Sequence, residues 1–226
     1  MYIKSRIPAT IYRVILVVSG IYGVYLNLSA GSTSPLELLS YFTIQSNILV
    51  IAFFAALVVQ TLATGALRAS NPREPWPSLK GAVTLAVTIT FLVFHFMLRP
   101  TMFSMTEYTS SLANILPHYV VPLMSLGDWL LFTPKGLWKR LDPVKWLLIP
   151  LAYLAFALIR AQFAVFASGS HYPYFFIDVD RFGPEQVLLN SVIIGLGFAA
   201  LGYAMFGVDR LLAWMAQRLK HSRDGQ

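Results

Sequence analysis

The chain contains no cysteine. That excludes disulfides, thiolate nucleophiles, iron–sulfur clusters and cysteine-ligated zinc together, and leaves any chemistry to oxygen and nitrogen groups. Charge is scarce as well: 12% of the 226 residues are Asp, Glu, Lys or Arg and 57% are hydrophobic, with a mean hydropathy of +0.64. A soluble domain of this length carries about 25% charged residues, so lipid is the solvent for most of this chain. There is no repeat of roughly 20–50 residues, no low-complexity tract and no separate soluble domain. The four histidines and scattered carboxylates show no HExxH or comparable ligand spacing.

What the chain does have is long apolar runs. Crossing ~30 Å of hydrocarbon takes about 20 apolar residues. Six segments meet that length, near 8–29, 36–64, 79–100, 112–133, 144–167 and 186–208. Turn-rich polar stretches separate them: Gly31-Ser32-Thr33-Ser34-Pro35, Asn71-Pro72-Arg73-Glu74-Pro75-Trp76-Pro77 and Thr133-Pro134-Lys135-Gly136. The expectation is one all-α transmembrane domain over residues 1–226, a six-helix bundle. The first segment has a basic flank but exceeds a signal-peptide core and lacks a clear cleavage site, so it is read as retained.

The formal charge of +7 lies in short runs between apolar segments, not along one soluble face, so no nucleic-acid partner is expected. Fourteen of the 17 lysines and arginines fall on one side of this topology: Lys4, Arg6 and Arg13; Arg68, Arg73 and Lys80; Lys135, Lys139, Arg140 and Lys145; Arg210, Arg218, Lys220 and Arg223. Arg99, Arg160 and Arg181 are the exceptions. The asymmetry places both termini in the cytoplasm, in a cell (inner) membrane.

Polar residues inside spans are informative, because an ionised group at the bilayer centre costs about 2.5–3.5 kcal/mol even on the lenient insertion scale. In the second span Thr43, Ser46 and Asn47 share one helical face. In the fourth, Asn114 and His118 stand one turn apart, and the stripe continues through Ser125 to Asp128. Pro117 and Pro122 should bend that helix near the histidine. Counting ~1.5 Å per residue puts Thr43, His118 and Arg160 at one level, about 10 Å below the surface opposite the termini. That predicts a polar cavity in the outer leaflet. The bland alternatives are a threonine bonded to its own i−4 carbonyl, polar side chains that join helices, and an Asp128 facing water at the cytoplasmic end. His171-Tyr172-Pro173-Tyr174-Phe175-Phe176-Ile177-Asp178 reads as an interfacial aromatic belt or as a lid over the cavity.

Together the six-span layout, Tyr41-Phe42-Thr43, the spacing Asn114-x-x-x-His118-x-x-x-Pro122 and the Tyr172-Pro173-Tyr174-Phe175 loop resemble the androgen-induced gene family of membrane hydrolases. The resemblance covers most of the chain. It implies an integral-membrane enzyme that hydrolyses fatty acid esters of hydroxy fatty acids, or related acyl esters, without metal or cofactor. Thr43 would be the nucleophile and His118 the base. Membrane lipids would surround it, and the substrate would be a lipid. Ile44-Gln45-Ser46-Asn47 after the threonine, and one histidine in the fourth-span motif, depart from the animal pattern and imply a prokaryotic-type member acting on another acyl ester. Gln45, Ser46, Asn47, Asn114 and Arg160 are the substrate-binding or oxyanion candidates, and Arg160 could instead hold a fatty acid carboxylate.

Three other readings compete. A transporter or proton-coupled carrier would use Asp128, His118 and Arg160, although no repeat or pair of broken helices marks one. Haem ligation by His95 and His118 lacks a second histidine pair. A rhomboid-type protease needs a GxSG serine, and Ala167-Ser168-Gly169-Ser170 is not that motif.

Overall fold

The computed structural model describes residues 2–29, 34–68, 74–101 and 111–224, the last four without their side chains. Lipid offers no hydrogen-bond partners to backbone, so apolar runs of spanning length must be helical. Six helices here are long and apolar enough to cross a membrane, and the protein is a multipass all-α bundle. We label α1 Arg6–Ser29, α2 Pro35–Leu38, α3 Phe42–Ala63, α4 Pro77–Thr101, α5 Leu112–Phe132, α6 Asp142–Arg160 and α7 Val179–Asp224. All but α2 are spans. The turns expected at 31–33 and 71–73, with Arg73, lie outside the described residues.

Every residue from Lys80 to Thr90 is buried, which makes α4 the central span. α7 is peripheral, with Leu188, Leu196 and Leu211 more than half exposed. A lipid-facing helix needs no polar outer face, so an apolar surface is its ordinary state.

Three boundaries differ from the sequence expectation. The second span is broken: α2 ends at Leu38, and α3 starts only at Phe42. The fifth stops at Arg160 instead of 167. There the Arg160 guanidinium donates to the Ala164 carbonyl at 3.3 Å and stacks 3.9 Å from the Phe166 ring, closing the helix end. The sixth runs to Asp224, well past 208, after a kink at Gly183 (φ 75°) next to Pro184.

Three of the basic residues counted for orientation, Arg6, Arg13 and Lys80, are buried. Lys80 Nζ lies 2.6 Å from Asp128 and 2.7 Å from Glu74, and Arg13 Nε lies 2.7 Å from Asp128. Glu74 also faces Arg6 and Arg13 at 3.9 Å. Asp128 is fully buried, which removes the alternative in which it faces water. The cluster ties α1, α4, α5 and the second connection together at the end that carries the termini. Paired burial of this kind is tolerated because each charge has a close opposite partner.

Candidate functional site

The chain break before α3 is built by side chains that take backbone acceptors. In an unbroken helix the Leu39 and Ser40 carbonyls would accept from Thr43 and Ile44. Instead Gln45 Nε2 donates to the Leu39 carbonyl at 2.9 Å, and the Tyr153 hydroxyl donates to the Ser40 carbonyl at 3.0 Å. Ile44 turns to the Tyr41 carbonyl at 3.1 Å. Helix α3 therefore begins at Phe42 with no side-chain cap, and its first N–H groups are left for another acceptor. Thr43 is the second residue of that helix, not a residue two turns inside one.

His118 comes from a wide π turn, Leu116–Val120, where Pro117 interrupts α5 as its sequence suggested. A second π turn, Phe94–Leu98, faces it from α4. Phe94 stacks on the His118 ring with centroids 3.9 Å apart and fixes its plane. His118 Nδ1 lies 2.9 Å from the Asn114 carbonyl. A carbonyl only accepts, so Nδ1 carries the proton and Nε2 presents a lone pair. Thr43 Oγ1 stands 3.3 Å from that Nε2. The two residues expected to meet at one depth do meet, both half-buried.

Thr43 lines a cavity of about 420 Å³, walled by α4, α6, α7 and the loop before α7. Its lining is apolar, with Thr90, Tyr153, Tyr174 and Ser191 among the few polar side chains. Leu151 on α6 and Leu188, Val192 and Leu196 on α7 line it and are also exposed. The cavity thus opens sideways between α6 and α7, towards the bilayer. From Leu188 to Ala199 its α7 wall runs about 17 Å, at 1.5 Å per residue. Thr43, beside Tyr174 and Ile177, is at the end away from the termini.

The other candidates are placed differently. Asn47 is fully buried and donates to the Thr43 carbonyl at 2.7 Å and the Pro117 carbonyl at 3.1 Å, so it staples α3 to α5. The Ser46 hydroxyl shares a 2.8 Å hydrogen bond with Thr90 and donates to the Thr43 carbonyl at 3.1 Å. Asn114 serves His118 through its backbone, its side chain being buried. Gln45 is turned back to Leu39, and Arg160 to Ala164 and Phe166. Gln45, Ser46, Asn47 and Arg160 thus donate to acceptors other than the Thr43 hydroxyl oxygen, and the Asn114 side-chain amide is buried without a hydrogen-bond partner. Asp128, His118 and Arg160 each hold a different partner and form no relay. His95 Nδ1 pairs with the Tyr119 hydroxyl at 3.1 Å and not with His118.

Sequence reasoning missed two features. One is the N–H pair of Phe42 and Thr43 at the uncapped start of α3; the other is Tyr174, which lines the cavity together with Thr43. Burial pushes the Tyr174 phenol above its ordinary value, so it is neutral. The Tyr172-Pro173-Tyr174-Phe175 motif pointed to the loop but not to its inward tyrosine.

Fold and site together define a six-span helical membrane protein with a laterally open apolar cavity lined by Thr43, whose hydroxyl pairs with His118. Comparison with models of known protein families, with curated proteins and with solved structures finds no match for this chain.

Proposed function

We propose that the protein is a membrane lipid esterase that hydrolyses fatty-acyl esters through Thr43 and His118. What carries the reading is the 3.3 Å approach of Thr43 Oγ1 to a His118 Nε2 left bare by the Nδ1 bond to Asn114. That is a hydroxyl beside an oriented base, the arrangement nucleophilic acyl transfer needs. The apolar cavity that opens between α6 and α7 suits an acyl chain arriving from the bilayer.

In this reading Thr43 Oγ attacks the ester carbonyl while His118 Nε2 takes its proton. The N–H groups of Phe42 and Thr43 stabilise the oxyanion, aided by the positive end of α3. The C–O bond breaks, and the alcohol leaves with the proton from His118. Water then attacks the acyl-threonine, giving its proton to His118, and the carboxylic acid departs as the Thr43 hydroxyl is restored. The chain's resemblance to a family of threonine-dependent membrane hydrolases points the same way, towards fatty acid esters of hydroxy fatty acids or related lipids. The distribution of basic residues supports cytoplasmic termini in a cell (inner) membrane, which puts Thr43 in the outer leaflet.

The test is hydrolysis of a fatty acid ester of a hydroxy fatty acid, and of a chromogenic acyl ester, by purified wild type, Thr43→Ala and His118→Ala. Turnover by wild type with both variants at background while folded supports the reading. An inactive wild type, or a Thr43→Ala variant that keeps its rate, discards it.

A further inference from the structure

At the end that carries the termini, every described carboxylate side chain is turned inward. Glu74 and Asp128 belong to the buried cluster that joins α1, α4 and α5. Asp142 is 3% exposed and accepts from the Lys139 N–H at 2.8 Å, and Asp209 is 1% exposed and accepts from the Gly136 N–H at 2.8 Å. Lys145 reaches Asp142 only at 3.9 Å. A carboxylate committed to a backbone N–H leaves the cations on the neighbouring surface without a counter-charge.

Those cations are Lys139, Arg140, Arg210 and Arg218, all exposed. The turn between α5 and α6 is docked on α7, which brings them to one side. The Arg210 guanidinium donates to the Trp138 carbonyl at 2.6 Å, immediately before Lys139 and Arg140 in the chain. A Cβ on Gly136 would stand 3.1 Å from Ala213. Arg218 lies about two turns further along α7 than Arg210, with its guanidinium 4.9 Å from the Trp214 ring. Among the described residues none of the four forms an ion pair. Leu141, Leu211, Trp214 and Leu219 are exposed between them. Basic side chains interleaved with tryptophan and leucine at the end of a span are the composition of a headgroup-level surface, where the cation meets phosphate and the apolar side chain meets the first acyl carbons.

We propose that this face, formed by the turn before α6 and the last turns of α7, binds anionic phospholipid headgroups. Lys139, Arg140, Arg210 and Arg218 take the phosphates, and Trp214 with its apolar neighbours enters the acyl boundary. A soluble polyanion would satisfy the charges and leave the apolar side chains in water, so the two features together favour a lipid. The inference is independent of the esterase reading.

The test presents purified protein in detergent with equal amounts of phosphatidylglycerol and phosphatidylcholine and counts the lipids retained by native mass spectrometry. Wild type is expected to hold phosphatidylglycerol in several-fold excess, and added salt should reduce that excess. Lys139→Gln combined with Arg140→Gln should bring the two lipids close to parity. Both positions are exposed, so the variant folds, and its melting temperature should no longer rise with phosphatidylglycerol as that of wild type does. Lys4→Gln, an exposed cation at the same end but on the approach to α1, should keep the preference. Equal retention of the two lipids by wild type overturns the proposal. So does a preference that falls as far in Lys4→Gln as in the double variant, because summed charge and not this face would then select the lipid. Displacement of the bound phosphatidylglycerol by poly-glutamate or an oligonucleotide overturns it as well, and makes a soluble polyanion the occupant.

Discussion

The Gln45 side chain donates to the Leu39 carbonyl at 2.9 Å and so removes the acceptor that the Thr43 N–H would use in a continuous helix. Gln45 touches no substrate cavity, yet it keeps a donor free beside the nucleophile. Replacing it with Met, which retains length and helix propensity, lets the helix extend backwards over Thr43. Gln45→Met is expected to lower kcat about 10- to 100-fold with little change in KM, up to the loss of one oxyanion donor. Steady-state kinetics on a soluble chromogenic ester checks it; a changed KM with unchanged kcat would place Gln45 in substrate binding.

Gly195 lines the cavity on α7, and a Cβ built there meets nothing within 4 Å. It lies seven residues below Leu188, about 10 Å along the helix. Gly195→Phe should fill the far part of the cavity and leave Thr43 untouched. Octadecanoyl esters are expected to lose most of their kcat/KM while butanoyl esters keep theirs. Equal losses for both chain lengths would mean that the acyl chain lies elsewhere.

Asp128 is fully buried between Arg13 and Lys80. Asp128→Asn leaves two cations facing Glu74 alone, and breaking such a pair costs about 3–5 kcal/mol. A large fall in the melting temperature is expected, with the hydrolysis rate per folded molecule preserved, because the cluster is remote from Thr43. Asp128→Leu combined with Lys80→Met should recover part of the loss. A fully stable Asp128→Asn that abolishes solute flux in proteoliposomes would instead favour a carrier.

Gly81 packs under Trp146, and a Cβ there would run into the indole. Trp146 is fully buried and its Nε1 donates to Ser78 Oγ at 3.3 Å, so it has nowhere to move. Gly81→Ala is expected to cost about 1–3 kcal/mol, as overpacking does. Gly20→Ala meets Ile51 Cγ1 at 2.7 Å, a flexible side chain beside lipid, and should cost less. Thermal unfolding of the two variants side by side measures the difference.

The number and helical character of the spans were legible in the sequence because lipid forces both: apolar runs of this length have no other way to satisfy their backbone. The fixed rise of a helix also made the common level of Thr43 and His118 readable by counting, and Pro117 announced the disturbed turn beside the histidine. Where a side chain turns at its own level was not legible. Arg160, counted to the same level, closed its own helix end against Phe166, since nearby carbonyls and a ring compete with any distant carboxylate. Arg13 and Lys80 carried only an orientation signal in the sequence, and the approach of α1, α4 and α5 brought Asp128 between them. No glycine or proline marks the break before Phe42. It exists because Tyr153, from a span more than 100 residues later, bonds the Ser40 carbonyl while Gln45 takes the Leu39 carbonyl. Hydropathy and helical pitch are properties of a segment, whereas the ownership of a freed carbonyl or N–H is settled only when distant segments meet.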